Sequence, residues 1–210
     1  MNQTPPLIKI GSFSGYRING KDAPIGIFKL RHDTFVKKLK WLPENSTGYE
    51  RDSYDDFSTI LYVVSNASGV VVGTIRVINS DHEFMLDKDF KPLVESSPEY
   101  EHSKDSAEIS RFTVENVENR SKAVVIQMLF ELLERWVLEN KKKYLYFVTT
   151  NKYANELRFS YGISFSPIGK VSFTQSDVSF QTFKIDVAEI TSIGNRIKRY
   201  LYLHFLRKFI

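Results

Sequence analysis

Residues 121–150 read SKAVVIQMLFELLERWVLENKKKYLYFVTT, and this stretch decides the fold class. Apolar side chains recur through residues 121–140 at the spacing that forms one face of a helix; they are Val124, Val125, Met128, Leu129, Leu132, Leu133, Trp136 and Val137. Lys141–Lys143 follow at the end where the helix dipole favours cations. The run Tyr144–Thr150 is rich in β-branched and aromatic residues, which is typical of a strand. The stretch therefore predicts a long helix over 121–140 and a strand over 144–150.

Three of the strands predicted before this helix lie between residues 59 and 114. Thr59–Ser65 and Val70–Ile78 have the β-branched content of strands, and Asn66–Gly69 between them is a turn sequence. Together they predict an antiparallel hairpin. Ala107–Val114 predicts a third strand, shortly before the long helix.

The remaining elements are shorter. Residues 1–24 are interpreted as an irregular lead with a short strand near Leu7–Ile10. The pattern of apolar residues predicts helices over 25–41, 84–93 and 152–161, and strands over 165–168, 171–174 and 180–187. This order of helices and strands is typical of an α+β or mixed α/β protein. We expect residues 1–194 to form one domain.

Composition excludes several classes of site. The 210 residues include no cysteine, so disulfides, thiolate metal sites and a cysteine nucleophile are excluded. Four scattered histidines offer no pair at ligand spacing, and we expect no metal; they are His32, His82, His102 and His204. The N-terminal residues lack the pattern of a signal peptide, and no stretch reaches the roughly 18 apolar residues of a membrane span. We therefore expect a cytoplasmic protein.

The basic charge is concentrated in the last sixteen residues. The tail NRIKRYLYLHFLRKFI, residues 195–210, carries five cations and no acid, whereas the whole chain has a net charge of +4. Residues 1–194 are thus slightly acidic, with a net charge of −1, and a general nucleic-acid surface is not indicated. The tail is predicted to be a basic amphipathic helix. Three readings remain open: packing on the domain, peripheral contact with an anionic membrane, and docking of an acidic carrier protein.

Four charged clusters in a fixed order point to a functional site. They are Arg31 with Phe35 and Trp41, then Glu50 with Asp52 and Asp55, then Gly73 with Arg76, and finally Glu108 with Arg111. The last two clusters lie in predicted strands, where a buried charge is costly unless it is paired. Carboxylates that alternate with three arginines therefore indicate a paired network in a cleft.

Each cluster also has a simpler explanation. The acids can form a solvated turn, Arg76 can extend from a strand edge, and Glu108 with Arg111 can make ordinary surface pairs. In a regular strand Glu108 and Arg111 point to opposite faces, unless a bulge intervenes. Phe35 and Trp41 are most simply core residues. The functional interpretation makes Glu108 a general base, because an ammonium group must lose a proton before it can attack a carbonyl.

The link between the third strand and the long helix lacks the composition of a coenzyme A site. An acetyltransferase that uses acetyl-CoA places a glycine-rich turn there, whose backbone N–H groups bind the pyrophosphate. Here the link reads ENVENRSK, residues 115–122, with no glycine and two acids. A carrier-protein thioester, whose pantetheine arm lacks that pyrophosphate, fits this link better.

These motifs resemble the acyl-homoserine-lactone synthases, the autoinducer synthases of bacterial quorum sensing. The resemblance runs from about Arg31 to Gly169. It consists of the Arg-Phe-Trp spacing, a Glu-x-Asp-x-aromatic-Asp stretch, a Gly-x-x-Arg strand and a Glu-x-Ser-Arg-Phe strand. The matching residues are Arg31, Phe35, Trp41, Glu50, Asp52, Tyr54, Asp55, Gly73, Arg76, Glu108, Ser110, Arg111 and Phe112. Each motif is weak alone, but together and in order they are quite specific.

The resemblance implies a GNAT-like three-layer α-β-α sandwich with a mixed, mostly antiparallel sheet. It implies an N-acyltransferase that joins an acyl chain from acyl carrier protein to the amine of S-adenosylmethionine and then closes a lactone. Catalytic roles would fall to Glu108, Ser110 and Arg111. Substrate would be bound by Arg31, Phe35, Trp41, Asp52, Asp55, Arg76 and Thr149 or Thr150, the last pair touching the acyl chain. No cofactor or metal is implied beyond these substrates.

Two alternatives stay open. The sequence is also similar to N-acyl amino acid synthases and exosortase-associated acyltransferases, which share the Gly-Thr-x-Arg strand and the Ala-Glu-Ile-Ser-Arg motif seen at Thr74 and at 107–111. Those enzymes use an amino acid as the small-molecule amine acceptor and form no lactone. A non-enzymatic, membrane-associated module is the third interpretation, and it leaves the alternating acids and arginines without a purpose.

Overall fold

The computed structural model describes residues 5–56, 59–115, 119–161, 163–173 and 178–191. The strands are β1 Ile8–Ile10, β2 Phe13–Asn19, β3 Ile60–Ser65, β4 Val71–Asn79, β5 Ser106–Val114, β6 Tyr144–Thr150, β7 Ser166–Phe173 and β8 Ser179–Asp186. The helices are α1 Ile25–His32, α2 Lys91–Val94, α3 Asn119–Glu139, α4 Asn151–Tyr161 and α5 Val187–Thr191. The eight strands form one sheet in the order β1-β2-β3-β4-β5-β6-β8-β7.

The strand pairing is mixed but mostly antiparallel. Antiparallel pairs join β1 to β2, β2 to β3, β3 to β4, β6 to β8 and β7 to β8. A parallel pair joins β5 to β6, with Ser106–Glu108 opposite Tyr144–Tyr146. This pairing, with helices between the strands, confirms the predicted α+β class.

The chain divides into two compact units. The first unit comprises the described residues up to Val77 together with Arg111–Trp136, and the second comprises Ile78–Ser110 with the described residues from Val137 onward. The prediction of a single domain over 1–194 stays a prediction. The predicted tail helix, 195–210, lies outside the described residues.

In the first unit, the helix α3 packs closely on the strands through two glycines. A β-carbon on Gly73 in β4 would lie 2.4 Å from Val125 Cγ1, and one on Gly15 in β2 would lie 3.0 Å from Leu132 Cδ1. Val125 and Leu132 belong to the apolar face predicted for the helix, and both are buried. The glycines therefore let the helix approach the sheet.

The N-terminal lead is more regular than predicted. It forms the short strand β1 near its predicted place, and also β2, which pairs with β3 from Ser14 opposite Ser65 to Asn19 opposite Ile60. The prediction of an irregular segment was wrong at these residues. Pairing with β3 supplies the backbone hydrogen bonds of β2, and the local sequence does not predict that pairing.

The predicted helix 25–41 has two parts. After α1, residues Asp33–Lys38 form a wider π-helical turn, in which Leu39 N–H donates to the Thr34 carbonyl over 2.9 Å. This turn keeps Phe35 and Val36 buried. Hydrophobic spacing alone does not separate an α-helix from such a turn.

The second unit has an aromatic core against its strands. Phe147 in β6, Phe183 in β8 and Phe165 lie with ring centroids 5.3 Å apart in each pair. The two strands predicted over 165–168 and 171–174 are a single strand, β7, whose register with β8 shifts between Ile168 and Ser172. Gly169, with φ +67°, lies at that shift.

The predicted helix 84–93 is also divided. It consists of a 3₁₀ turn, Met85–Asp87, followed by the four-residue helix α2. Among the residues that the structure describes, no helix combines the length and hydropathy that a membrane span requires.

Candidate functional site

Arg31, on helix α1, is the buried centre of a set of ion pairs in the first unit. Its Nη1 and Nη2 donate to Asp55 Oδ1 and Oδ2 over 2.7 and 2.8 Å, and its Nε donates to Glu50 Oε2. Burial by itself would lower the pKa of Arg31, but the hydrogen bonds and charges of Asp55 and Glu50 raise it. A bidentate guanidinium–carboxylate pair fixes orientation as well as distance.

Arg76, on strand β4, completes the pairing of the acidic loop. Its side chain is fully buried, and its Nη1 donates to Asp52 Oδ1 over 2.5 Å and to Asp55 Oδ1 over 3.2 Å. Burial would raise the pKa of Asp55, but the hydrogen bonds and charge of Arg31, with the charge of Arg76 and the Asp52 N–H, lower it to about 2. The interpretation of Arg76 as an extended edge residue is therefore wrong.

Arg111 closes the set from strand β5. Its Nε donates to Glu50 Oε1 over 3.0 Å, and its Nη2 donates to Asp52 Oδ2 over 2.7 Å. Its guanidinium also lies 5.7 Å from the centroid of the Phe35 ring. Burial and the neighbouring Arg76 lower the pKa of Arg111. Arg31, Arg76, Arg111, Glu50, Asp52 and Asp55 form what we call the ion-pair network.

The backbone at Arg111 is unusual for a strand. Its φ of +52° lies in the left-handed region, which costs a non-glycine residue on the order of 1 kcal/mol. The regular alternation of side chains in β5 is therefore interrupted at Arg111, as a bulge would interrupt it. The two ion pairs with Glu50 and Asp52 help to hold this conformation.

The acidic loop between α1 and β3 is shaped by its own side chains. The Asp52 N–H donates to Asp55 Oδ2, and the Tyr54 N–H donates to Asp52 Oδ1, each over 3.0 Å. The Glu50 N–H donates to the Phe28 carbonyl over 3.0 Å, which ties the loop to α1. These contacts exclude the simple explanation of the acids as a solvated turn.

The ion-pair network is exposed at one end. The Asp55 side chain has no exposed surface, whereas 22% of the Asp52 side chain and 15% of the Arg111 side chain are exposed. A ligand can therefore reach Asp52 and Arg111 directly, while Asp55 can act only through its neighbours. Sequence alone could not rank the two aspartates.

The predicted aromatic pair lies next to this network. Phe35 and Trp41 stack with ring centroids 6.0 Å apart. Phe35 is buried and Trp41 is partly exposed. Phe35 is thus a core residue, and Trp41 offers part of its ring to solvent.

Glu108 belongs to the second unit, where it is buried. Its Oε2 accepts hydrogen bonds from the Met85 N–H over 2.5 Å and the Leu86 N–H over 3.4 Å. These are the first residues of the 3₁₀ turn Met85–Asp87. The turn therefore orients the carboxylate that the sequence singled out as a base.

A further polar group around this turn was missed by sequence reasoning. Tyr100 Oη donates to Asp87 Oδ1 over 2.7 Å, and His102 Nδ1 lies 2.5 Å from Asp87 Oδ2. His102 was set aside only as one of four scattered histidines. The only signal was a polar loop, 95–105, directly before the strand that carries Glu108.

The other predicted site residues are placed as follows. Ser110 is partly exposed in β5, and Thr149 and Thr150 are buried at the end of β6. The Thr150 hydroxyl accepts the Tyr153 N–H over 3.3 Å, which caps the start of α4. Contact of either threonine with an acyl chain stays a prediction.

The lysines after α3 are less available than their sequence suggests. Lys142 is buried and donates to Ser80 Oγ and the Lys104 carbonyl, each over 2.8 Å. Lys143 pairs with Asp105 over 2.6 Å. Lys141 is exposed, and its N–H donates to the Leu138 carbonyl over 3.2 Å. Within the described part of the chain, no group of three acidic or histidine side chains is placed to hold a metal ion.

Curated relatives of this chain are acyl-homoserine-lactone synthases. The enzyme of Ralstonia nicotianae (strain ATCC BAA-1114 / GMI1000) is 31% identical over 93 residues, which cover 44% of this chain and 46% of that protein. The enzyme of Pseudomonas amygdali pv. tabaci is 29% identical over 107 residues, covering 51% and 46%. The matched region thus spans about half the length of these relatives.

Solved structures share the fold. The acyl-homoserine lactone synthase LasI has a TM-score of 0.72 at 21% identity, covering 88% of this chain and 96% of that chain. BjaI, a CoA-dependent synthase solved with SAM and isopentyl-CoA, has a TM-score of 0.74 at 19% identity, covering 90% and 88%. FeeM, an N-acyl amino acid synthase from uncultured soil microbes, has a TM-score of 0.61 at 15% identity, covering 88% and 99%.

These likenesses confirm the GNAT-like fold that the motifs implied. The sequence model of the autoinducer synthase family matches residues 19–170, which contain every member of the ion-pair network and Glu108. Because the match extends over well more than half of the 210 residues, this chain belongs to the autoinducer synthase family.

Proposed function

We propose that this protein is an acyl-homoserine-lactone synthase. It would transfer an acyl group from a carrier thioester to the amine of S-adenosylmethionine and then close the lactone. The observation that carries the proposal is the ion-pair network, because the three arginines and three acids that resemble the family motifs pair with one another within a chain of that family. If these charged residues resembled the family motifs only by chance, there would be no reason for them to pair with one another.

The first step forms an amide. The amine arrives as an ammonium ion and must lose a proton before its nitrogen can attack; Glu108, directly or through a water molecule, takes that proton. The amine nitrogen then attacks the thioester carbonyl, the C–N bond forms, and the C–S bond breaks to release the carrier thiol. The hydrogen bonds from Met85 and Leu86 to Oε2 hold the carboxylate in place for this task.

The second step closes the ring. A carboxylate oxygen of the acylated adenosylmethionine attacks the carbon next to the sulfonium, and methylthioadenosine leaves with the C–S bonding electrons. The atoms balance without an oxidant, a reductant or a metal. We assign no separate proton transfer to this step.

The exposed end of the ion-pair network is proposed to orient the acceptor. Asp52 and Arg111 are the members that a ligand can reach, so Asp52 attracts a cationic group and Arg111 a carboxylate. The positioning residues are then Arg31, Arg76 and Asp55, which keep the side chains of Asp52 and Arg111 in a fixed position and orientation. Trp41 contributes a partly exposed aromatic surface beside them.

Acyl carrier protein is the proposed donor. The link 115–122 lacks the glycines that serve a CoA pyrophosphate, which supports a carrier thioester. The solved structure of the CoA-dependent synthase BjaI makes acyl-CoA the second donor to test.

The second candidate function is N-acyl amino acid synthesis without a lactone. It is favoured by the Ala107–Arg111 motif and by the likeness to FeeM. The match to the autoinducer synthase family over residues 19–170 and the curated acyl-homoserine-lactone synthase relatives favour the lactone synthase.

One experiment separates these functions. The purified protein is incubated with carrier protein loaded with acyl chains of several lengths, adenosylmethionine and a mixture of amino acids, and the products are identified by mass spectrometry. An acyl-homoserine lactone with an equal amount of methylthioadenosine is the expected result. An N-acyl amino acid without methylthioadenosine would establish the second candidate. If neither product forms, with loaded carrier protein or with acyl-CoA as the donor, both candidate functions are refuted.

A further inference from the structure

We infer that Asp87, Tyr100 and His102 are positioning residues for the Glu108 carboxylate. The inference rests on the proposed function, since it assigns these residues to the base of that reaction. Its starting point is that Glu108 Oε2 accepts two N–H groups of the 3₁₀ turn Met85–Asp87. A movement of this turn would therefore move two of the donors that orient the carboxylate.

Asp87 holds this turn from within. Its Oδ2 accepts the Phe84 N–H over 3.0 Å, and its own N–H donates to the Phe84 carbonyl over 3.1 Å. The two ends of the turn are thus joined by reciprocal hydrogen bonds. A rotation of the Asp87 carboxylate would release the N-terminal end, which carries the N–H groups that Glu108 accepts.

Tyr100 and His102 fix the Asp87 carboxylate from outside the turn. Tyr100 Oη donates to Oδ1, and His102 Nδ1 lies 2.5 Å from Oδ2, so both oxygens have a partner from the loop before β5. Burial, with the Asp87 hydrogen bond, raises the pKa of Tyr100, and the charge of Glu108 adds to this effect.

His102 is itself held on three sides. Its ring stacks on Phe84 with centroids 4.0 Å apart and planes 6° from parallel. Its Nε2 lies 2.9 Å from the Ser80 carbonyl. Its two ring nitrogens thus face two oxygen atoms, Asp87 Oδ2 and the Ser80 carbonyl oxygen. The imidazole thereby packs against Phe84, the residue that precedes the turn.

The loop that presents these side chains is anchored to the sheet. The Tyr146 hydroxyl accepts the Glu101 N–H and donates to the Glu99 carbonyl, each over 3.2 Å. The Tyr100 and Tyr146 rings meet edge to face at 5.0 Å. The positioning group therefore rests on strand β6 rather than on a loose surface segment.

Stability alone does not explain this group. About a quarter of the side-chain surface of both His102 and Asp87 is exposed. A pair with that exposure contributes little to the free energy of folding. Substitution should therefore leave the fold intact while changing the placement of Glu108.

The test compares Tyr100→Phe and His102→Gln with His82→Gln. His82 is a matched control, since it is partly exposed and pairs with the exposed Asp81 over 3.4 Å in the same unit. Tyr100→Phe removes a single hydroxyl without changing the size of the ring. Two quantities are measured: the kinetic constants of acyl transfer, and the hydrogen-exchange rates of the Met85 and Leu86 amides.

The expected result is a fall in kcat of about tenfold in Tyr100→Phe and His102→Gln, the usual effect of removing a group that orients a reacting one. The KM values for both substrates should change by less than about twofold, and the two amides should exchange several-fold faster. His82→Gln should match the wild type in every measurement. Acceleration confined to these amides, at an unchanged melting temperature, separates positioning from general destabilisation.

Unchanged exchange at Met85 and Leu86, or unchanged kcat, in both variants would overturn the inference. Failure of the proposed function has a different signature, because the wild type would then form no acylated product at all. Failure of the inference alone leaves an active wild type and equally active variants.

Discussion

Replacement of Asp55 by asparagine should destabilise the first unit strongly. The side chain has no exposed surface and accepts from Arg31 through both oxygens and from Arg76 through one. Asparagine keeps one oxygen but turns an NH₂ group towards guanidinium donors, and it removes one of the buried negative charges with which Arg31 and Arg76 pair. Removing one member of a buried ion pair costs about 3–5 kcal/mol.

This cost predicts a measurable change in melting temperature. For a chain of this length, 1 kcal/mol corresponds to about 2–4 °C, so Asp55→Asn should lower the melting temperature by about 6–20 °C. Tryptophan fluorescence is the appropriate probe, because both tryptophans, Trp41 and Trp136, belong to the first unit. Urea unfolding followed by the same signal gives the free energy directly.

Asp33→Asn is the matched control. Asp33 also pairs with a cation, Lys37, over 2.7 Å, but 45% of its side chain is exposed. Such a helical surface pair contributes about 0.3–0.5 kcal/mol. If Asp55→Asn and Asp33→Asn shift the melting temperature equally, the ion-pair network does not stabilise the unit and our reasoning from burial fails.

Three further outcomes follow from the structure. Asp55 has a pKa of about 2 when folded and 3.8 as an isolated side chain, so its charged form contributes about 2 kcal/mol to the free energy of unfolding. This contribution should be present above pH 4 and be lost as the pH falls towards 2. Urea midpoints across that range, compared with those of Asp55→Asn, measure it. Gly169→Ala should destabilise by more than 1 kcal/mol beyond Gly69→Ala, since both have positive φ but only at Gly169 would a β-carbon lie 2.0 Å from a carbonyl oxygen; equal melting curves would contradict this. Glu108→Gln should keep the fold and lower turnover by about 10²–10⁴-fold, whereas wild-type turnover would remove this carboxylate from the mechanism.

The parts of the fold that sequence predicted are those with a strong local pattern. The hairpin of β3 and β4, the helix α3 and the strand β6 each have many apolar residues at one period, and their bounds agree with prediction to within a few residues. β2 was missed because its sequence, FSGYRIN, contains a glycine and only one β-branched residue. A β-carbon at that glycine would lie 2.6 Å from Ile8 Cγ2 and 3.0 Å from Leu132 Cδ1, and no local pattern contains the approach of α3.

The candidate site was likewise predicted from sequence only in part. Sequence identified the charged clusters and indicated that they pair, because charges in a buried strand require partners. It could not assign Asp55 to Arg31 or Glu50 to Arg111, since these contacts join residues up to 61 positions apart in the chain. The left-handed backbone at Arg111 and the role of His102 likewise depend on long-range geometry.

The ion-pair network holds three guanidinium and three carboxylate groups, so its formal charges cancel. A balanced cluster acts on its surroundings as a multipole, whose field decays faster with distance than that of a single charge. A cationic ligand would therefore sense only the nearest group and not the cluster as a whole. Neutralising any one member changes this at once: loss of a carboxylate leaves a net positive charge that repels a cation from a distance, and loss of an arginine leaves a net negative charge that attracts it. The sign of the charge left behind, more than the identity of the missing residue, should then govern how a charged ligand approaches each variant.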